Sequence, residues 1–182
     1  MIILAILVAV VGYAIFVYND LVSKRQLKEE GWSGIDVQLK RRNDLIPNLM
    51  ETVKGYMSHE RETLEAVTQA RAAATAGANA SPAERSALEG ALSGALGKLI
   101  AIAESYPELK ANTTFLEFQE ALQGVEEEIQ MARRYYNGSV RNLNTTVESF
   151  PSNVVANAFK FEKAEYFELD NEAERAVPQV KF

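Results

Sequence analysis

The N-terminal run of uncharged residues is the feature that most constrains how this chain folds. Met1 to Tyr18 contains no charged or amide side chain. A helix rises about 1.5 Å per residue and a bilayer core is roughly 30 Å thick, so about 20 apolar residues are needed to cross it. Leu21 and Val22 extend the run to that length. Residues 1–22 are therefore predicted to form a transmembrane helix in contact with lipid.

A cleaved secretory signal and a buried core helix are the alternatives for this segment. A secretory signal carries Lys or Arg before its apolar stretch and small residues at its cleavage site. No Lys or Arg precedes this run, and Tyr18–Leu21 does not resemble a cleavage site. The chain also lacks the Cys that a lipoprotein anchor requires. These features favour a retained membrane helix.

The charges that follow the run predict its orientation. Lys24, Arg25, Lys28 and the basic stretch 40–42 come within one long helix of the membrane, diluted by a few acidic residues. Because Lys and Arg near a span favour the cytoplasmic side, the N-terminus is expected outside and residues from about 20 onward in the cytoplasm. The absence of Cys agrees with a reducing compartment.

The overall charge excludes one class of partner. The chain has 25 acidic and 19 basic residues and a net charge of −6. Nucleic-acid-binding proteins show a basic face, so a nucleic-acid partner is not expected. The residues after the span are numerous enough for one domain with a hydrophobic core.

Apolar residues recur at helical spacing along most of this domain. From Trp32 to about Ala76 they follow one face of a helix that is expected to be continuous with the span. Pro47 lacks a backbone donor, which predicts a kink or a restart of the helix between Asn43 and Pro47, with Asn43 as its cap.

Two further long helices are predicted. Ser81-Pro82-Ala83-Glu84 is typical of a helix start, and the helix should run to about Ser105, with small residues such as Gly94 and Gly97 allowing a close neighbour. The next helix should begin near Thr114, with a second capping box, and end at Phe150. Its near-heptad apolar stripe is typical of a bundle seam. The stripe comprises Phe115, Phe118, Leu122, Val125, Ile129, Ala132, Tyr136, Val140, Leu143 and Val147.

The predicted fold class is therefore all-α: an N-terminal transmembrane helix (1–22), a helical bundle domain (23–160) and an aromatic, partly extended C-terminal tail (161–182). A short helix is expected from Ser152 to about Phe159. The tail either packs on the bundle, extends to a neighbouring molecule, or is an unstructured terminus.

Catalytic and metal-binding motifs are not evident. His59 is the only histidine, and Thr63 stands where a zinc-protease H-E-x-x-H motif needs its second histidine. There is no Cys nucleophile and no Gly-rich phosphate loop. The run 126–128 of three glutamates is interpreted as a solvated helix face. The sequence thus predicts no enzyme activity, no cofactor and no metal.

Two polar stretches within helices are predicted to hold the bundle or its assembly together. If they lie inside a bundle, they would form a network that fixes helix register, whereas ordinary surface polarity is the alternative. The residues predicted for this role are Arg41, Arg42, Asn43, Asp44, Pro47, Arg133, Tyr136 and Asn137.

Several stretches resemble one family in order along nearly the whole chain. They are Tyr18–Val22, Trp32–Leu49, Val53–Tyr56, His59-Glu60, Ala70-Arg71, Tyr106–Asn112, Arg133–Asn137 and Phe150–Asn153. On these stretches the chain is identified as a member of the LemA family of bacterial membrane proteins. The resemblance implies a single N-terminal membrane helix in the bacterial cytoplasmic membrane, with a bundle of long antiparallel up-down helices in the cytoplasm. It implies no enzymatic activity and no cofactor.

The family resemblance implies roles in envelope stress or in membrane shaping, often beside a membrane zinc metalloprotease. A relative takes part in forming magnetosome membranes. The leading hypothesis is a non-enzymatic, membrane-anchored scaffold that forms homo-oligomers through its long helices. The alternative is an adaptor that presents a bundle face or the tail to a membrane protease or sensor.

Overall fold

The computed structural model describes residues 1–168, and within them every regular element is helical. The predicted all-α class is confirmed, with a long N-terminal apolar helix packed against antiparallel helices. The last part of the predicted tail, 169–182, lies outside the described residues. The helices are α1 (Ile2–Lys54), α2 (Arg61–Ala76), α3 (Pro82–Ala103), α4 (Pro107–Lys110), α5 (Thr113–Glu148) and α6 (Ser152–Ala158), with a 3₁₀ turn at Gly77–Asn79.

The chain divides into two compact units, and both α1 and α5 contribute to each. Unit 1 combines residues 1–37 with residues 129–166, and among the described residues unit 2 combines 38–128 with 167–168. The predicted boundary at residue 22 rests on membrane contact and the one at residue 160 on the aromatic tail, and both stay predictions.

The core of unit 1 joins α1, the end of α5 and α6. Val17 and Leu21 of α1 are buried with Leu143 and Val147 of α5. The same cluster takes in Val155, Ala156 and Phe161, which come from α6 and the chain after it. The start of the predicted tail is therefore part of this core.

The core of unit 2 is built from the second half of α1, α2, α3 and the first half of α5. Its centre is fully buried at Leu49, Val53, Val67, Leu92 and Leu99. Burying side chains of this kind stabilises a fold by roughly 1.5–3 kcal/mol each relative to leaving them in water. These core residues belong to the apolar stripes that predict the helices, so the same spacing predicts this core.

The apolar stripe of α5 is buried as its spacing predicts. Eight of its ten members are buried, and Phe118 and Ala132 are half-buried. Since these side chains pack within the chain, the stripe is not an open seam for a coiled coil with a second molecule.

Side-chain caps define the starts of α3 and α5. The capping box at Ser81 is confirmed, since Ser81 and Glu84 each accept a backbone N–H from the other at 3.3 Å. At α5 the cap is Asn112, whose Oδ1 accepts the backbone N–H of Phe115 at 3.0 Å. The helix therefore begins slightly before the predicted Thr114.

Pro47 does not interrupt α1, so the predicted restart of the helix there is wrong. The helix continues to Lys54, and the break falls between Gly55 and Glu60. Because proline has no backbone N–H, Pro47 leaves the carbonyl of Asn43 without its helical donor. The Nε of Arg71 on α2 donates to that carbonyl at 3.1 Å. A side chain distant in sequence thus replaces the missing helical hydrogen bond.

Arg71 and Pro47 should therefore be energetically coupled. Replacing Arg71 with methionine removes the donor to Asn43 and is expected to lower the free energy of unfolding by about 1 kcal/mol. In a Pro47→Ala background the new backbone N–H can bond the same carbonyl, so Arg71→Met should cost less than half as much. Urea denaturation of the detergent-solubilised protein measures both steps. An equal cost in the two backgrounds would contradict this account.

The glycines of α1 and α3 differ in how closely other helices approach them. A Cβ placed on Gly94 or Gly97 would meet no described atom within 4 Å, so the predicted close approach of a neighbouring helix does not occur at these two glycines. A Cβ placed on Gly31 would lie 3.0 Å from the Cα of Tyr136. In unit 1, α1 and α5 therefore approach each other closely where α1 lacks a side chain.

Candidate functional site

A buried ion-pair network around Arg42 is the most polar feature of the unit 2 core. The Arg42 side chain is 0 % exposed. Its Nη2 donates to the carboxylate of Glu89, which is also buried, and to the Glu89 carbonyl at 3.3 Å. Its Nη1 donates to Ser93 Oγ and to Glu126 Oε1, each at 2.6 Å. One guanidinium thus links α1, α3 and α5.

The arrangement of this network indicates a structural role. A guanidinium has only hydrogen-bond donors and no acceptor. Its planar set of donors fixes the positions of the carboxylates that accept from it. Removing ions from water costs several kcal/mol each unless they are paired with good geometry. The arrangement therefore favours one register of the three helices.

The other predicted residues near Arg42 have different roles. Arg41, Asp44 and Pro47 are exposed, and Asn43 is half-buried. Asn43 contributes its backbone carbonyl to Arg71. Within this predicted group of residues, the network itself is carried by Arg42.

Sequence reasoning missed the partners of Arg42. Glu126 is an ion-pair partner, so the interpretation of all three glutamates at 126–128 as a solvated face is wrong for that residue. A signal was present, because Arg42 lies between Leu39 and Ile46 in the apolar stripe of α1, and Glu89 lies three residues before Leu92 in that of α3. A charge within an apolar stripe indicates a buried partner.

A surface groove of about 330 Å³ lies beside this network, between α3 and α5. Ser93 and Glu126 line it, together with the amide side chains of Gln119 and Gln123. Glu126 is the ionisable residue of its lining and is already paired with Arg42. The groove therefore has hydrogen-bonding groups but no acid–base pair.

A second polar cluster in unit 2 joins the α1–α2 turn to the connection between α3 and α5. Tyr106 donates its hydroxyl hydrogen to Glu60 Oε1 at 2.9 Å, and the Asn112 amide donates to the Tyr56 hydroxyl at 3.0 Å. The hydrogen bond to the Glu60 carboxylate raises the pKa of Tyr106 above its ordinary value. Three stretches that carry the family resemblance, 53–56, 59–60 and 106–112, therefore meet here.

Tyr136 is the centre of a third cluster, in unit 1. Its buried hydroxyl donates to the Glu165 carbonyl at 2.9 Å, and its ring lies 5.3 Å from that of Trp32. Burial, with a smaller contribution from Glu165, raises the pKa of Tyr136 to about 12. The phenol is therefore a neutral donor at physiological pH. Arg133 and Asn137 flank it on α5, and both are half-buried and engaged in contacts.

The first part of the predicted tail is held by specific hydrogen bonds. The Asn144 side chain donates to the Ala164 carbonyl at 2.9 Å and accepts the Ala164 N–H at 2.8 Å. Phe161 and Phe167 are buried, and Ser86 donates to the Glu168 carbonyl. For 161–168, packing on the helices replaces the alternative of an unstructured terminus.

Metal-ligating side chains do not cluster within residues 1–168. No group of three or more His, Cys, Asp or Glu side chains there could hold an ion. His59 is exposed, and neighbouring Glu60 accepts the hydrogen bond from Tyr106. The polar groups described above pair with one another and position helices.

Comparison with known proteins places these clusters in a family. The LemA family model matches residues 31–182. Protein LemA of Metamycoplasma hominis is 30 % identical over 152 residues, which cover 80 % of this chain and 68 % of that protein. Magnetosome protein MamQ 2 of Paramagnetospirillum magneticum and magnetosome protein MamQ of Magnetospirillum gryphiswaldense are 24 % and 23 % identical, each over 88 % of this chain and 68 % of the relative. The match takes in all the residues that form the three clusters, and the chain belongs to the LemA family.

Proposed function

We propose that this protein is a non-enzymatic helical scaffold that is anchored in the bacterial cytoplasmic membrane by residues 1–22 and assembles there with copies of itself. The observation that carries the proposal is the bare apolar surface of α1. In its most apolar window only 6 % of the residues are buried within the chain. Such a surface is covered favourably by lipid and very unfavourably by water.

α3 is also long and apolar enough to cross a membrane, but its surroundings favour a core helix. Its apolar window is 33 % buried, and it carries Arg85 and the ion-paired Glu89. Charged side chains in the middle of a bilayer cost at least about 2.5 kcal/mol each. A single span at the N-terminus is therefore the arrangement proposed. The family match begins after this span, so the span rests on its own sequence and exposure.

The non-catalytic part of the proposal rests on the way the polar groups are used. Hydrogen bonds from three buried side chains hold the helices and the following chain in place. They run from Arg42 to Glu126, from Tyr136 to the Glu165 carbonyl and from Asn144 to the Ala164 carbonyl. Self-assembly is supported by apolar side chains that stay exposed beyond the span, such as Leu116 and Met131. Two relatives are named as magnetosome proteins, which agrees with a role in a larger assembly. The basic residues Lys24, Arg25 and Lys28 favour a cytoplasmic location for the bundle.

Light scattering of the full-length protein in mild detergent, followed by flotation with vesicles, tests the proposal. The expected result is a defined oligomer that floats with lipid and resists extraction by high salt. The matched control is Val8→Lys with Val11→Lys, which places two charges on exposed positions of the span and should abolish flotation.

A monomeric mass would reject self-assembly while leaving the membrane anchor in place. The adaptor function would then be favoured, with a membrane protease or sensor as partner. The groove between α3 and α5 is the face that such a partner could use, since the Gln119 amide and the Gln123 amide oxygen line it, while the Gln123 nitrogen donates to Glu127. Failure of the wild-type protein to float would reject the anchor itself.

A further inference from the structure

The end of the predicted span is not surrounded by lipid on all sides, because α6 packs against it. Val17 and Leu21 of α1 are buried against Val155 and Ala156 of α6 and against the end of α5. Ala14 also packs on this cluster. At about 1.5 Å per residue, Ala14 lies about 12 Å before Val22 along the helix. α6 therefore reaches the depth of the last turns of the span.

Three apolar side chains in or beside α6 stay largely exposed. Phe150, Val154 and Phe159 are 82 %, 61 % and 57 % exposed, although they flank or belong to the short helix that covers Val17. The Phe159 ring also lies 4.8 Å from that of Tyr18. We call these three residues the α6 patch. Through Phe159 and Tyr18 the patch lies beside the last turns of the span.

We propose that the α6 patch inserts into the membrane interface beside the span, so that this protein contacts the bilayer at two places. The partner is the boundary between lipid headgroups and acyl chains. An interfacial helix places its apolar face about 5–10 Å deep in that boundary, which matches the position of α6 beside Val17. The inference rests on the proposed span.

The charged side chains around the patch fit the same placement. Lys24 bonds Asp20 and Thr146 at 2.6 Å each, and Arg25 lies 5.3 Å from the centre of the Phe161 ring. Both basic residues come directly after the apolar part of α1, at the level where lipid phosphates would lie. On α6, Asn153 and Asn157 are four residues apart and so share one face of the helix, while Val155 and Ala156 are buried against α1.

Spin labelling tests this placement directly, because the chain has no cysteine and every introduced cysteine is unique. A nitroxide is attached at Phe150→Cys or Val154→Cys in the full-length protein, reconstituted in phosphatidylcholine and phosphatidylglycerol vesicles. Collisions with oxygen, which concentrates among acyl chains, are compared with collisions with a water-soluble nickel chelate. The expected result is an oxygen-to-nickel collision ratio at both sites several-fold above that of the control.

The matched control is Val37→Cys, also an exposed valine on a helix of unit 1. Val37 lies about 22 Å beyond Val22 along α1 and should give a water-like ratio. Ile6→Cys, in the middle of the span, reports on the span itself. A water-like ratio at Val154 with a lipid-like ratio at Ile6 would overturn the inference and leave the span intact. A water-like ratio at Ile6 would reject both. Low collision frequencies with both oxygen and nickel at Val154 would show that protein covers the patch and would also overturn the inference.

Discussion

Replacing Arg42 with methionine is expected to lower the free energy of unfolding by about 3–5 kcal/mol, because the change leaves the buried Glu89 carboxylate without its counter-charge. Glu89 is 1 % exposed, so water cannot solvate it. Methionine retains most of the apolar length of arginine, so the loss reports mainly on charge and hydrogen bonding. A loss of this size is a large fraction of the stability of an ordinary domain.

Arg41→Met is the matched control for this variant. Arg41 precedes Arg42 on the same helix but is exposed, so its replacement should change stability by no more than about 0.5 kcal/mol. Urea denaturation of the detergent-solubilised proteins, followed by circular dichroism, measures both. Equal midpoints for Arg42→Met and the wild type would refute the structural role of the network.

A second substitution separates the loss of the pair from the cost of an unpaired charge. Glu89→Leu in the Arg42→Met background removes the orphaned carboxylate, and replacing a whole buried pair with apolar groups is often nearly neutral. The double variant should therefore recover much of the stability that the single variant loses. If the double variant were less stable than Arg42→Met, the contribution of Glu89 would have to come from other contacts.

Local sequence patterns predict the helices well because such patterns depend only on residues that are close in sequence. The start of α3 at Ser81 follows from a capping motif of four residues, and the buried face of α5 follows from its regular spacing. The uncharged N-terminal run depends only on composition. None of these features requires knowledge of which helices pack together.

The errors arose where a distant residue decides the outcome. Pro47 would interrupt an isolated helix, but Arg71 supplies the missing donor from another element. Glu126 is typical of a solvated face until Arg42 is placed beside it. In the same way the sequence singled out Arg42 and Tyr136 as structural residues without indicating their partners, which the packing of α1, α3 and α5 determines. The roles of the predicted residues in assembly stay predictions.

The contact between Gly31 and Tyr136 gives the second large effect. Replacing Gly31 with alanine adds a Cβ that would lie 3.0 Å from the Cα of Tyr136 and 3.1 Å from a ring carbon of Tyr135. The first of these atoms belongs to a helix backbone and cannot move aside as a side chain would. Overpacking of this kind typically costs about 1–3 kcal/mol. The variant should also weaken the ring contact between Trp32 and Tyr136, since α1 and α5 must separate.

Gly34→Ala distinguishes this steric cost from the general effect of alanine in a helix. Gly34 lies one turn further along α1, and a Cβ there would meet no described atom within 4 Å. Alanine is favoured over glycine in a helix interior by about 1 kcal/mol, so Gly34→Ala should raise the free energy of unfolding. Gly31→Ala gains the same propensity and must still come out less stable than the wild type. Because Trp32 is the only tryptophan, its fluorescence reports the change at the contact itself. If both variants were more stable than the wild type, with unchanged fluorescence, α1 and α5 would not be closely packed at Gly31, and the role of Tyr136 in holding them together would have to be abandoned.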